Sequence, residues 1–170
     1  MPDENLDYYS MRLMALNILP DQLSLSPTEE FPSVFGVFME IGMAEGAVTL
    51  VTLADGTVSL YYEAGGGIED SGRHERVKEA AFRFIQAAEQ MKEKFVFTTK
   101  FPLPLRGKVN FYVLTFDGVR TTEVGEEDLT EDNPLSELIV IGNEVLTQLR
   151  KAQDKGETKV PRFKDKKKLL

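Results

Sequence analysis

Hydrophobic positions along the chain change period several times, and each change marks an element. In residues 5–19, Leu6, Tyr9, Leu13 and Leu16 recur at helical spacing with Met11, Met14 and Ile18 beside them, which predicts a helix that Pro20 stops. Its apolar stripe is wide, so this helix should lie across another surface. Residues 20–33, with Pro20, Pro27, Pro32 and the Glu29-Glu30 pair, read as an ordered connector. The period then drops to two. Residues 34–42, 47–54 and 57–63 form a predicted meander, and Asp55-Gly56 between the last two is a hairpin signal because both turn positions need positive φ. Residues 47–54 are apolar on both faces, whereas Val58, Leu60 and Tyr62 face one way opposite Thr57, Ser59 and Glu63, as in a strand near an edge.

Gly65-Gly66-Gly67 ends the meander, and a helical stripe returns over residues 74–95 through Val77, Ala81, Phe84, Ile85, Ala88, Met91 and Phe95. After Phe101-Pro102-Leu103-Pro104, residues 108–116 make a strand that is apolar on both faces. Asp117-Gly118 turns it into residues 119–124, and residues 95–101 can add one more strand. Asn133-Pro134 is an N-cap followed by proline at the first helical position. The last helix then runs to about residue 152 with Leu135, Leu138, Ile139, Val145, Leu146 and Leu149 inward, and Gly142 on that stripe suggests close approach to the sheet. The order α-βββ-α-ββ(β)-α predicts an α+β domain over residues 1–152. Its single, mostly antiparallel sheet has five to six strands with three helices packed on it. A basic, disordered tail over residues 153–170 follows. Because the central strands are apolar on both faces, either the first helix or another subunit must cover the second face, and a homodimer is expected.

The element order resembles that of the roadblock and profilin-like group, in which a five-stranded antiparallel sheet sits between helices. At the level of residues, Leu53-Ala54-Asp55-Gly56-Thr57-Val58-Ser59-Leu60-Tyr61 and Gly65-Gly66-Gly67-Ile68, with Phe101-Pro102-Leu103-Pro104 downstream, look like a family of small uncharacterised bacterial proteins. That resemblance implies a bacterial origin and carries over no catalytic residue.

Composition removes much chemistry. The 170 residues include no cysteine and one histidine, which excludes disulfides, thiolate catalysis, Cys-ligated zinc, iron–sulfur clusters and any two-histidine metal site within one chain. Neither a cofactor nor a metal is implied. Residues 155–170 carry seven Lys or Arg against Glu157 and Asp165, a net of +5, which leaves −13 of the total −8 on residues 1–154. Such an acidic body repels phosphate backbones, so it does not invite nucleic acid, and it suits a basic protein partner. Met1-Pro2-Asp3-Glu4 is acidic where a signal peptide needs basic residues, and no apolar run approaches the roughly 20 residues that span a bilayer. The expected setting is cytoplasmic.

Three clusters are candidates for function. Gly65, Gly66 and Gly67, read as a strand-to-helix turn with Arg73 and His74 close by, can aim backbone N–H groups at a phosphate. The spacing is not that of a P-loop or a dinucleotide fingerprint, and glycine also serves any sharp turn. Glu126, Glu127, Asp128, Glu131 and Asp132 offer an acidic partner-binding surface, or simply a solvated loop that complements a helix N-terminus. His74 lacks a G-x-S-x-G elbow to present a nucleophile. The basic tail suits anionic lipid, RNA or solubility. The expectation is a non-enzymatic, acidic, dimeric module that binds another protein, of which an immunity-type inhibitor of a basic toxin is one form. The alternative is a phosphate-ligand domain or enzyme built on the glycine loop.

Overall fold

The computed structural model describes residues 7–70 and 72–154. Among these residues, three α-helices and one antiparallel sheet of seven strands confirm the α+β class, with more strands than the five to six expected. The elements are α1 (Tyr8–Leu16), β1 (Val34–Met43), β2 (Gly46–Leu53), β3 (Val58–Tyr62) and β4 (Gly67–Asp70), followed by α2 (Glu75–Gln90), β5 (Val96–Phe97), β6 (Lys108–Thr115), β7 (Gly118–Gly125) and α3 (Pro134–Asp154). Spatial order is β4-β3-β2-β1-β6-β7-β5. β1 therefore lies at the centre, paired with β2 through Phe38↔Val51 and with β6 through Phe38↔Tyr112. The edges are β4, the one strand not anticipated, and β5, which falls within residues 95–101 where one more strand was allowed. β4 was hidden because it is four residues long and opens on a glycine run, and β5 pairs with β7 through only Val96 and Phe97.

α2 and α3 cover one face. Val77, Ala81, Phe84, Ile85 and Ala88 of α2 meet Val37, Met39, Val48, Leu50 and Phe111, and α3 adds Leu138, Val145, Leu146 and Leu149. A Cβ on Gly142 would stand 2.7 Å from the Met39 Sδ, so glycine is what lets α3 approach the sheet there. The second face holds Phe35, Phe38, Val51, Leu53, Tyr112 and Leu114, and Leu16 packs on them with Ile18, Leu23, Leu25 and Phe101. Of the two covers anticipated, α1 and its connector are the one seen. The uncovered face that motivated a dimer is thus filled within the chain.

α1 binds this face through a different stripe from the one its apolar spacing suggests. Tyr8, Arg12 and Leu16 are buried, whereas Tyr9, Leu13 and Met14 are largely exposed. Leu6 lies outside the described residues. The cause is a polar row across the sheet, Asn110, Glu40 and Thr49, opposite one another on β6, β1 and β2. Glu40 is fully buried, and a buried carboxylate needs a partner. Arg12 supplies it with two bonds, Nε to Oε2 at 2.6 Å and Nη2 to Oε1 at 2.7 Å. The Thr49 hydroxyl donates to the same carboxylate at 2.7 Å, and Tyr8 shares a 2.6 Å hydrogen bond with Thr49. Burial, despite the Thr49 contact, drives the Tyr8 phenol well above its ordinary pKa, so it stays neutral. The Phe101-Pro102-Leu103-Pro104 segment crosses beside α1, its Pro102 carbonyl accepting from Arg12, Asn110 and Tyr112.

Candidate functional site

Gly65-Gly66-Gly67 does not lead into α2. It turns β3 into β4, with Tyr62 N donating to Gly66 O at 3.1 Å and Gly65 and Gly66 at positive φ (120° and 85°). Gly67 begins β4 and Asp70 ends it, which puts Arg73 and His74 at the far end of that strand, about 10 Å along. The glycines and the basic pair therefore do not form one site. The glycine run is explained by its hairpin, since positive φ is costly for other residues.

At the other end of β4, the Asp70 side chain organises the entry to α2. One oxygen accepts from the N–H groups of Gly72 (2.9 Å) and Arg73 (3.1 Å), and the other pairs with His74 Nδ1. Arg73, His74, Arg76 and Val77 line a cleft of about 290 Å³ with Gln148, Lys151 and Ala152. This cleft is where the N-terminus of α2 meets the C-terminus of α3. The two macrodipole ends oppose each other, and the three cations complement the carbonyl end of α3. That arrangement explains the basic residues without a ligand.

The acidic segment forms a 3-10 turn over Glu126–Asp128 and then caps α3, with the Asn133 side chain accepting from Leu135 N at 3.0 Å. Glu123, Glu127, Asp128 and Asp132 line an open concavity of about 640 Å³. Glu127 pairs with Lys108 at 2.8 Å, a bond that lowers the carboxyl pKa. Glu126 and Glu131 are exposed in the same stretch. No group of three or more His, Asp or Glu side chains among the described residues could hold a metal ion.

The feature that sequence reasoning missed is an apolar groove at the opposite end of the sheet, where β1 begins and β2 and β6 end. Leu25, Phe31, Phe35, Ala54, Phe82 and Phe116 line about 630 Å³, with the Glu29 and Glu30 side chains exposed on its lining and no lysine or arginine there. Its walls are fixed. Phe31 and Phe82 meet edge to face at 5.3 Å between centroids, and Phe35 and Phe116 lie 5.4 Å apart. The connector is pinned where Phe31 N donates to Thr28 Oγ1 (2.9 Å) and where Ser33 and Val34 N–H donate to Glu89 (2.7 and 2.9 Å). Although burial opposes ionisation of Glu89, those N–H bonds and Lys92 outweigh it and hold the carboxyl below its ordinary pKa. A preformed apolar concavity of this size with a few polar groups is the usual form of a binding site. Its residues come from four separate stretches of chain, and the only local sign was Phe31 beside two glutamates in a proline-rich connector.

No helix among the described residues is long and apolar enough to cross a membrane. Compared with known proteins, the chain matches no family model, no curated protein and no solved structure.

Proposed function

We propose that this chain is a non-enzymatic protein-interaction module whose aromatic groove docks a basic segment of another protein carrying an apolar anchor residue. The observation that carries this reading is the pairing of a phenylalanine-lined groove with Glu29 and Glu30 on its lining, on a body of net charge −13 over residues 1–154. Aromatic pockets that bury one or two anchor side chains supply most of the affinity of such interfaces. Acidic surface elsewhere, including Glu126, Glu127, Asp128, Glu131 and Asp132, speeds the encounter with a basic partner by long-range attraction. An immunity-type inhibitor is one form of this reading, with a basic toxin as the partner.

The test is a photo-crosslinking residue placed at Thr28, on the groove lining, compared with one at Thr130 by the acidic concavity. The reading predicts a crosslinked protein joined at Thr28 through a Lys/Arg-rich peptide containing an apolar residue. Crosslinks at Thr130 alone, or at neither position, would contradict it. The rival reading, an anionic ligand at Arg73, Arg76 and Lys151, predicts a higher melting temperature in phosphate that Arg73→Ala abolishes. The opposed helix ends in that cleft favour the groove.

A further inference from the structure

We infer that the chain carries its own competitor for the groove: residues 155–170 dock there, with Phe163 as the anchor. This rests on the reading of the groove as a peptide site. The segment reads Val160-Pro161-Arg162-Phe163-Lys164, followed by Lys166, Lys167 and Lys168, so its aromatic residue is flanked by cations. The groove offers the complement, four phenylalanines with Glu29 and Glu30 and no cation in the lining. Two other concave surfaces among the described residues fit worse. The cleft at the start of α2 is basic, and the acidic concavity, at the N-terminal end of α3, lacks an aromatic lining.

Reach is sufficient. The last turn of α3 lies against Arg73, His74 and Val77. Gly72 packs on Gly56, whose own Cα faces the Lys78 side chain, and both Ala54 and Phe82 beyond them line the groove. The way from the end of α3 to the groove therefore passes the start of α2, then Gly72 and Gly56. The path rounds one helix, about 10 Å across, and follows α2 for about 10 Å from Glu75 to Phe82. The nine residues from Asp154 to Phe163 can span about 30 Å. Tethering gives the segment an effective concentration on the order of 1 mM, so even an intrinsic Kd of about 0.1 mM would fill the groove roughly nine-tenths of the time and weaken a competing peptide about tenfold.

Because the chain lacks tryptophan, Phe163→Trp in the full chain is a single reporter. Docking predicts a blue-shifted emission, shielded from acrylamide and independent of protein concentration, that reverts when Glu29→Lys and Glu30→Lys are added. These two side chains are exposed and are not part of the core. Emission like that of the free peptide, or a shift those changes leave intact, would overturn the inference, as would a shift lost on dilution, which would place the segment on a second copy. A second titration separates this inference from the reading beneath it. A synthetic 155–170 peptide should bind full-length Phe163→Asp about tenfold more tightly than the wild-type chain. Equal binding to both overturns the inference and leaves the groove standing, while binding to neither removes both.

Discussion

Replacing Arg12 with methionine removes the partner of a carboxylate that has no access to solvent. Glu40 is 0% exposed, and of the three hydrogen bonds that reach it, two come from Arg12 and only the Thr49 bond survives the change. The Pro102 carbonyl also loses one of its three donors. Breaking one side of a buried ion pair costs about 3–5 kcal/mol, because the remaining charge stays desolvated. Against a total stability of about 5–15 kcal/mol, that is a large fraction. Removing both charges should be far milder, since an apolar pair of similar volume replaces a buried ion pair at little cost. The assay is urea unfolding followed by far-UV circular dichroism, the chain having no tryptophan. With a slope of about 2 kcal/mol per molar urea, Arg12→Met should lower the midpoint by about 1.5–2.5 M, and Arg12→Met/Glu40→Leu should recover more than half of that loss. A single variant within about 0.5 kcal/mol of wild type, or a double variant equal to the sum of the singles, would refute the claim that this pair fixes α1 on the sheet.

Two further outcomes follow from particular contacts. The Leu105 carbonyl occupies the place a Cβ on Gly42 would take, so Gly42→Ala must push backbone aside, and its melting midpoint should fall by the equivalent of about 2–3 kcal/mol. Glu89, with its carboxyl pKa depressed in the fold, contributes stability that is present above the unfolded carboxyl value and lost as pH falls through the folded value. The stability gap between wild type and Glu89→Gln should therefore be full at pH 6 and close as unfolding is followed down to pH 3; a gap that widens on acidification would contradict the Ser33 and Val34 contacts.

The elements were legible where local chemistry is sharp. Both Asp-Gly hairpins, the Asn133 cap and the close approach at Gly142 all act within a few residues, and all stand in the structure, although in each hairpin only the glycine takes positive φ. α1 instead ends at Leu16 with Asn17 as its cap, and Pro20 opens a separate 3-10 turn. The face that α1 buries was not legible from apolar spacing, because Arg12 reads as a surface residue until its partner is known. Glu40 was the available signal, a lone carboxylate inside the run Val37 to Met43 with apolar neighbours on both sides. β4 was lost to its glycines, and with it the true distance between the glycine loop and His74. The groove was illegible for a different reason. Leu25, Phe31, Ala54, Phe82 and Phe116 are each unremarkable in sequence, and only the antiparallel order of β1, β2 and β6 under α2 brings them together.

The central claim is that the groove recognises an apolar anchor flanked by cations, and a selection of displayed random peptides on the full chain tests it most directly. The account predicts enrichment of sequences with an aromatic or aliphatic residue between lysines and arginines, and loss of their binding to both Phe82→Asp and the Glu29→Lys/Glu30→Lys chain, each verified as folded by circular dichroism. Enriched peptides without that pattern, or binding that survives both changes, would contradict it.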